Sequence, residues 1–143
     1  MADKNTVIFD TEIGRKIERR LEVEQIIWLT TIDARSTPQP RPVWFHWDGE
    51  TVLIFSQVDA AKVRHIVRNP RVALNFNTDA DGGEVGVLVG KARIQPEPYD
   101  AQRLAAFAEK YAEGIKDLGV TPESMLAEYR TAVVVKPEAL RGF

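Results

Sequence analysis

The order of apolar runs predicts a mainly β domain: an antiparallel barrel, closed or nearly so, with helices packed outside. Three observations carry this. At least six short β-branched or aromatic runs fall within 143 residues, most follow one another through hairpin-length turns, and the helical patterns do not alternate with them as a doubly wound parallel sheet requires. The length suits one domain. No repeat, low-complexity segment or linker divides residues 1–143, so the whole chain is read as a single domain.

Ile13, Ile17 and Leu21 recur every four residues and line one stripe of a helix over Glu12–Leu21. Asp10 or Thr11 can cap it, and Arg15, Lys16, Arg19 and Arg20 form its outer face. Ile26 to Ile32 is a strand, ended by the polar turn Asp33–Thr37. Val43–Trp47 is a second, entered through Pro38, Pro40 and Pro42. Prolines donate nothing to a ladder, so that entry is an edge, a bulge or an irregular approach. Asp48-Gly49 predicts a tight primed turn with positive φ at both positions, returning along Thr51–Phe55.

Asp59–Asn69 reads as a short helix with Val63, Ile66 and Val67 inward and Pro70 beyond its end. Arg71–Asn77 alternates, with Val72, Leu74 and Phe76 on one face. After a polar loop, Thr78–Gly83, comes a valine-rich strand, Glu84–Ile94, whose Gly86 and Gly90 mark bulges or bends. Ala101–Ala112 and Pro122–Glu128 are helices, and Arg130–Lys136 is the last strand, stopped by Pro137.

Composition removes several functions. A formal net charge of −2 argues against a general nucleic-acid binder; Trp44 and Trp47 are the aromatics that an oligonucleotide-binding barrel would use. Without cysteine there is no disulfide, thiolate nucleophile or Cys-type metal site. No apolar run approaches the ~20 residues of a membrane span, and residues 1–10 lack the apolar core of a secretory signal. A cytoplasmic protein with no membrane partner is expected.

Motifs for acid–base or nucleophilic chemistry are missing too. There is no nucleophile elbow, dinucleotide fingerprint or phosphate loop. His46 within a strand and His65 within a basic helix lack metal-ligand spacing, and Asp79, Asp81 and Glu84 lack the full calcium-loop pattern. No catalytic residue and no metal ligand is therefore assigned. One feature stands out: Lys62, Arg64, Arg68 and Arg71 face a single acid, Asp59, directly after the strand end Phe55-Ser56-Gln57. Residues 97–128, by contrast, carry seven acids and three bases. A hydroxyl and open N–H groups beside Lys62 and Arg64 can seat a phosphate. On composition alone, the same bases read as a solvated helix face.

Taken in order, Trp28-Leu29-Thr30-Thr31, Pro40-Arg41-Pro42-Val43-Trp44-Phe45, the Asp48-Gly49 turn, Phe55-Ser56-Gln57 with Lys62-x-Arg64, Asn69-Pro70-Arg71-Val72-Ala73-Leu74, Gly90-Lys91-Ala92 and Val133-Val134-Val135-Lys136-Pro137 resemble the split-barrel flavin-binding proteins related to pyridoxamine 5′-phosphate oxidase. More narrowly, the chain is similar to the branch of deazaflavin (coenzyme F420)-dependent reductases. The resemblance implies an antiparallel split β-barrel acting as a homodimer, with cofactor grooves between subunits and a small-molecule substrate. It implies that Arg41, Pro42, Val43, Trp44 and Phe45 lie along the ring. Ser56, Gln57, Lys62 and Arg64 would hold the phosphate, and the strand end with Asn75, Asn77 and Thr78 would add a weaker contact. The cofactor would be F420 (8-hydroxy-5-deazaflavin), with FMN as the alternative; Arg15, Lys16, Arg19 and Arg20 could receive the acidic deazaflavin tail. Hydride chemistry would then belong to the cofactor. An FMN-dependent oxidase or reductase and a non-catalytic carrier remain the other readings. The short chain, without a counterpart of the family's C-terminal substrate segment, speaks against vitamin B6 oxidation.

Overall fold

The computed structural model describes residues 8–95 and 100–143; residues 1–7, which include most of the segment read above as lacking a signal-type core, and residues 96–99 lie outside the described residues. In chain order the elements are α1 (Glu12–Val23), β1 (Ile27–Ile32), β2 (Pro38–Val43), β3 (His46–Trp47), β4 (Val52–Ser56), α2 (Ala61–Arg68), β5 (Arg71–Asn75), β6 (Gly86–Gln95), α3 (Ala101–Lys110), α4 (Ala112–Asp117), α5 (Pro122–Glu128) and β7 (Thr131–Gly142). Among the described residues no helix is long and apolar enough to cross a membrane.

Seven strands join through antiparallel ladders in the order β2-β1-β5-β6-β7-β4-β3. Laid flat, such a sheet would separate its two edge strands by about 29 Å. Yet β2 ends at Val43 and β3, at the far edge, begins at His46, and three Cα steps reach at most about 11 Å. The sheet must therefore curl until its edges meet, closed by the chain itself instead of by a ladder. This is the mainly β, antiparallel split-barrel architecture that the sequence predicts.

Inside lies one core, with Ile27, Leu29, Phe45, Ile54, Leu74, Phe76 and Val133 almost fully excluded from solvent. α1 adds Ile17 and Leu21, and Thr11 caps the helix by accepting from the Gly14 N–H at 2.9 Å. A second cluster forms outside the sheet, where Phe107, Tyr111, Ile115 and Met125 of the α3–α5 region cover Leu53, Phe55, Ala132 and Val134.

Five details depart from the sequence reading. In α2, Val63 and Ile66 face inward as expected, but Val67 is exposed. The run Val43–Trp47 is not one strand: β2 takes Val43, β3 takes only His46 and Trp47, and Trp44-Phe45 bridges the split between them. β2 is the proline strand itself. Its prolines alternate, each opposite Ile32, Thr30 or Trp28 of β1, so all three missing N–H groups fall on the open edge, where nothing pairs. The hairpin after Trp47 is present, but its turn spans Asp48–Thr51; only Gly49 has positive φ (99°), and the Asp48 carboxylate accepts from the N–H groups of Glu50 and Thr51. The helix expected over Ala101–Ala112 breaks at Tyr111 into α3 and α4. Finally, β7 runs through Pro137 to Gly142, because Pro137 sits opposite Gly90 at a register shift, where no ladder N–H is required.

Candidate functional site

Two depressions meet at the split. The first, a groove of about 500 Å³, is lined by Leu29, Thr31, Gln39, Arg41, Pro42, Ala60, Ala61, Lys62 and His65. The second, about 240 Å³, is lined by Pro42, Val43, Trp44, Phe55, Lys62, Phe107, Leu118, Met125 and Tyr129. Pro42 and Lys62 border both, so the two lie side by side.

The groove is built for an anion. Register places Arg41 opposite Leu29 and Gln39 opposite Thr31, on the face toward α2. α2 starts after Ala60, which has no side chain to cap the free N–H groups of the first turn. Ala60 and Ala61 line the groove, so an uncapped helix N-terminus borders it. Burial, with the Arg41 guanidinium adding to it, pulls Lys62 below the ordinary lysine range. A bound anion would relieve both costs of keeping that ammonium charged. On the groove wall, buried Thr31 holds the His65 ring through Oγ1 and Nδ1 at 2.8 Å.

The second depression is aromatic. Trp44 stacks flat on Tyr111, with ring centres 4.5 Å apart and planes 4° from parallel. Phe107 packs edge-on to Phe55 and tilted to Tyr111. Lys62 is the only charged side chain among the described residues lining it.

Of the residues singled out from sequence, the structure brings Arg41, Pro42, Val43, Trp44 and Lys62 together here. Phe45 belongs to the core instead, fully buried, and its backbone is occupied: Tyr111 Oη accepts from its N–H at 2.8 Å and Lys110 Nζ donates to its carbonyl at 2.9 Å. Ser56 is buried at the end of β4 and donates to the Gln57 carbonyl, while Gln57 Nε2 donates to Glu128 of α5. Arg64 lies in a neighbouring cleft of about 270 Å³ with Asp33, Arg35, His65 and Arg68, and donates to the Asp59 carbonyl. Both Asp33 carboxylate oxygens in that cleft are taken, by the N–H groups of Arg35 and Thr37 and by Gln39; these bonds hold its carboxyl below the usual range. Asn75 and Asn77 gather around Trp28: Asn75 is its ladder partner, and Asn77 Oδ1 accepts from its indole N–H at 2.8 Å. Thr78 donates to the Asp79 carbonyl.

This geometry can be set beside known proteins. The family model described as pyridoxamine 5′-phosphate oxidase matches residues 13–143. The chain belongs to that family. Members and fold relatives of the pyridoxamine 5′-phosphate oxidase type among solved structures include an F420 reductase, 29% identical over 87% of this chain and 94% of that one, with a TM-score of 0.68. The haem storage protein HutZ of Vibrio cholerae shares the fold at 17% identity, covering 92% and 95% of the two chains (TM-score 0.69). So does General Stress Protein 26 of Bacillus anthracis, at 16% identity over 91% and 92% (TM-score 0.69). No curated protein matches.

Sequence reasoning passed over Gln39, Thr31 and His65 as groove residues, and Phe107, Met125 and Tyr129 as walls of the aromatic pocket. Gln39 and His65 carry a legible signal, since Gln39 alternates with Arg41 and His65 sits one helical turn from Lys62; Thr31 comes in through the ladder, opposite Gln39. The last three carry none, since only the tertiary packing of α3–α5 brings them to the split.

Proposed function

We propose that this chain is a cofactor-binding oxidoreductase that transfers hydride between reduced coenzyme F420 and a small unsaturated molecule. The cofactor's phosphate would sit against Arg41, Lys62 and the start of α2, and its ring in the aromatic pocket. The observation that supports this most is that a cationic groove and an aromatic cavity lie side by side at Pro42 and Lys62. That pairing suits a ligand with an anion at one end and a flat ring at the other. When bound, the cofactor supplies the hydride chemistry; the protein binds, orients and sheds water from the ring.

The choice of F420 over FMN rests on charge. FMN carries one phosphate, which the groove alone accommodates. The adjoining cleft of Arg35, Arg64 and Arg68 shares His65 with that groove and would be left without a ligand group. A deazaflavin with further acidic groups would use it. The first helix is a poorer receiver than its sequence suggests. Arg15 pairs with Asp10, and Arg20 pairs with Glu24 while donating to the carbonyls of Asn77 and Glu84. The 29% identity to an F420 reductase favours the same cofactor. An FMN-dependent enzyme is the alternative, and the fold shared with a haem storage protein keeps a non-catalytic carrier in view.

The reading includes a homodimer. Part of the outer face of the sheet, away from α3–α5, carries a depression of about 520 Å³ lined by Thr30, Ile32, Ala73, Val89 and Ala139, with Arg71 and Glu138 also bordering it. A mainly apolar sheet patch of this kind is what a second copy would bury. Val89→Asp should convert a dimer to monomer in analytical ultracentrifugation; a wild-type chain that sediments as a monomer at micromolar concentration removes the dimer. The cofactor is tested by titrating purified protein with F420 and with FMN. Submicromolar binding of F420, tighter than FMN, is expected. FMN binding without F420 binding overturns the cofactor choice, and binding of neither overturns the function.

A further inference from the structure

We propose that the junction of α3 and α4, Lys110 to Gly114, is the positioning device for the ring wall of this pocket, with Tyr111 as its principal positioning residue. The inference rests on the pocket being the cofactor's ring site, and extends it to residues that touch neither phosphate nor ring.

The chain at Trp44-Phe45 leaves one sheet edge and enters the other, so its peptide groups have no ladder. Buried backbone donors and acceptors need partners from somewhere. They come from the helical side. Tyr111 Oη accepts from the Phe45 N–H at 2.8 Å and sends its own proton to the Gln25 carbonyl at 2.7 Å, with the Phe45 carbonyl also 3.0 Å away. Lys110 Nζ caps that Phe45 carbonyl at 2.9 Å and lies 3.6 Å from the centre of the Phe45 ring. One phenol thus joins the segment before β1, the split itself and the helices.

The same junction fixes Trp44, which walls the pocket. Its indole lies flat on the Tyr111 ring, and Gly114 makes room for its edge: a Cβ at Gly114 would come within 3.0 Å of the indole's Cζ2 and Cη2. The helix tolerates glycine there at the usual cost, and the space it leaves is filled by the wall of the pocket. Peptide register is therefore held by Tyr111 and Lys110, and indole tilt by Tyr111 and Gly114. Neither hold involves Arg41, Lys62 or the start of α2, so ring and phosphate ends are set by separate parts of the fold.

That separation gives the test. Tyr111→Phe removes the hydroxyl but keeps the ring; Gly114→Ala keeps every hydrogen bond and displaces the indole. Both variants are compared with wild type for binding of F420, FMN and inorganic phosphate, and for near-UV circular dichroism, which reports the Trp44–Tyr111 stack without any ligand. The expected result is a loss on the order of tenfold in affinity for whichever ring ligand the wild type binds, about the effect of one misplaced contact of ~1.4 kcal/mol. Phosphate affinity should be unchanged and the near-UV signal altered in both variants. Gly114→Ala serves as the independent arm should Tyr111→Phe fold poorly. Wild-type affinities in both variants, or equal losses for phosphate and ring ligand, overturn the assignment alone. A wild-type chain that takes up phosphate but neither ring ligand overturns the proposed function and this assignment with it.

Discussion

Lys62 shows what a single side chain contributes. Its ammonium is partly buried beside Arg41, on the boundary of groove and pocket. Lys62→Ala should weaken binding of the phosphate-bearing cofactor by ~1.5–3 kcal/mol, the usual worth of a charge-assisted hydrogen bond. Isothermal titration would read this, and an unchanged affinity would take Lys62 out of the site. The same substitution should not lower stability much, because it removes a charge that burial disfavours. Arg64, two residues on, is expected to behave differently. The sequence reading grouped it with Lys62 because both are basic and near in the chain, but at 3.6 residues per turn two positions apart are about 200° apart around a helix. The structure accordingly sends Lys62 into the groove and Arg64 into the next cleft. Charge was legible at residue level; direction needed the helix.

Among the elements, β6 and β7 form the longest ladder, and its regularity fails once, between Val89 and Gly90. A Cβ at Gly90 would run into the Lys136 carbonyl and press on Pro137. Gly90→Ala should therefore destabilise the fold by about 2–4 kcal/mol through forced displacement of backbone, against the usual effect near 1 kcal/mol. Urea melting would show it; a midpoint within error of wild type would mean that the bulge relaxes freely. Gly90 and Pro137 were both visible as punctuation in the sequence. Each was read separately, the glycine as a bend and the proline as a stop, whereas they are the two sides of one bulge. Similarly, the prolines left an edge, a bulge or an irregular approach open, and nothing local could say that β2 and β3 are opposite edges of one curled sheet. Most strands followed from pattern, β2 excepted, and closure followed from the ladder order together with the short chain between Val43 and His46.

For the whole molecule, the second cluster of α3–α5 over the split was not legible, since its walls come from residues scattered between Phe107 and Tyr129. It nevertheless leaves a mark on how stability responds to pH. Burial lowers Lys110 from 10.5 to about 8, with Glu24 opposing, and lowers Lys62 as well. Between about pH 8 and 10.5 the unfolded chain keeps the Lys110 proton and the folded one has released it, so stability rises with pH in that window. Tyr111 works the other way. Burial raises its phenol well above the ordinary 10.0, outweighing the hydrogen bond to Phe45. Above pH 10 the unfolded chain loses a proton that the folded chain retains, and stability falls. Thermal melts between pH 7 and 11.5 should therefore pass through a maximum on the alkaline side of neutrality, between about pH 8 and 10.5. Lys110→Met should flatten the rising limb. Tyr111→Phe should flatten the falling limb while costing roughly 1–3 kcal/mol at pH 8, because it leaves the Phe45 N–H buried without an acceptor. A monotonic decline from pH 7, run in parallel by both variants, would mean that neither group is held as the packing of the split requires.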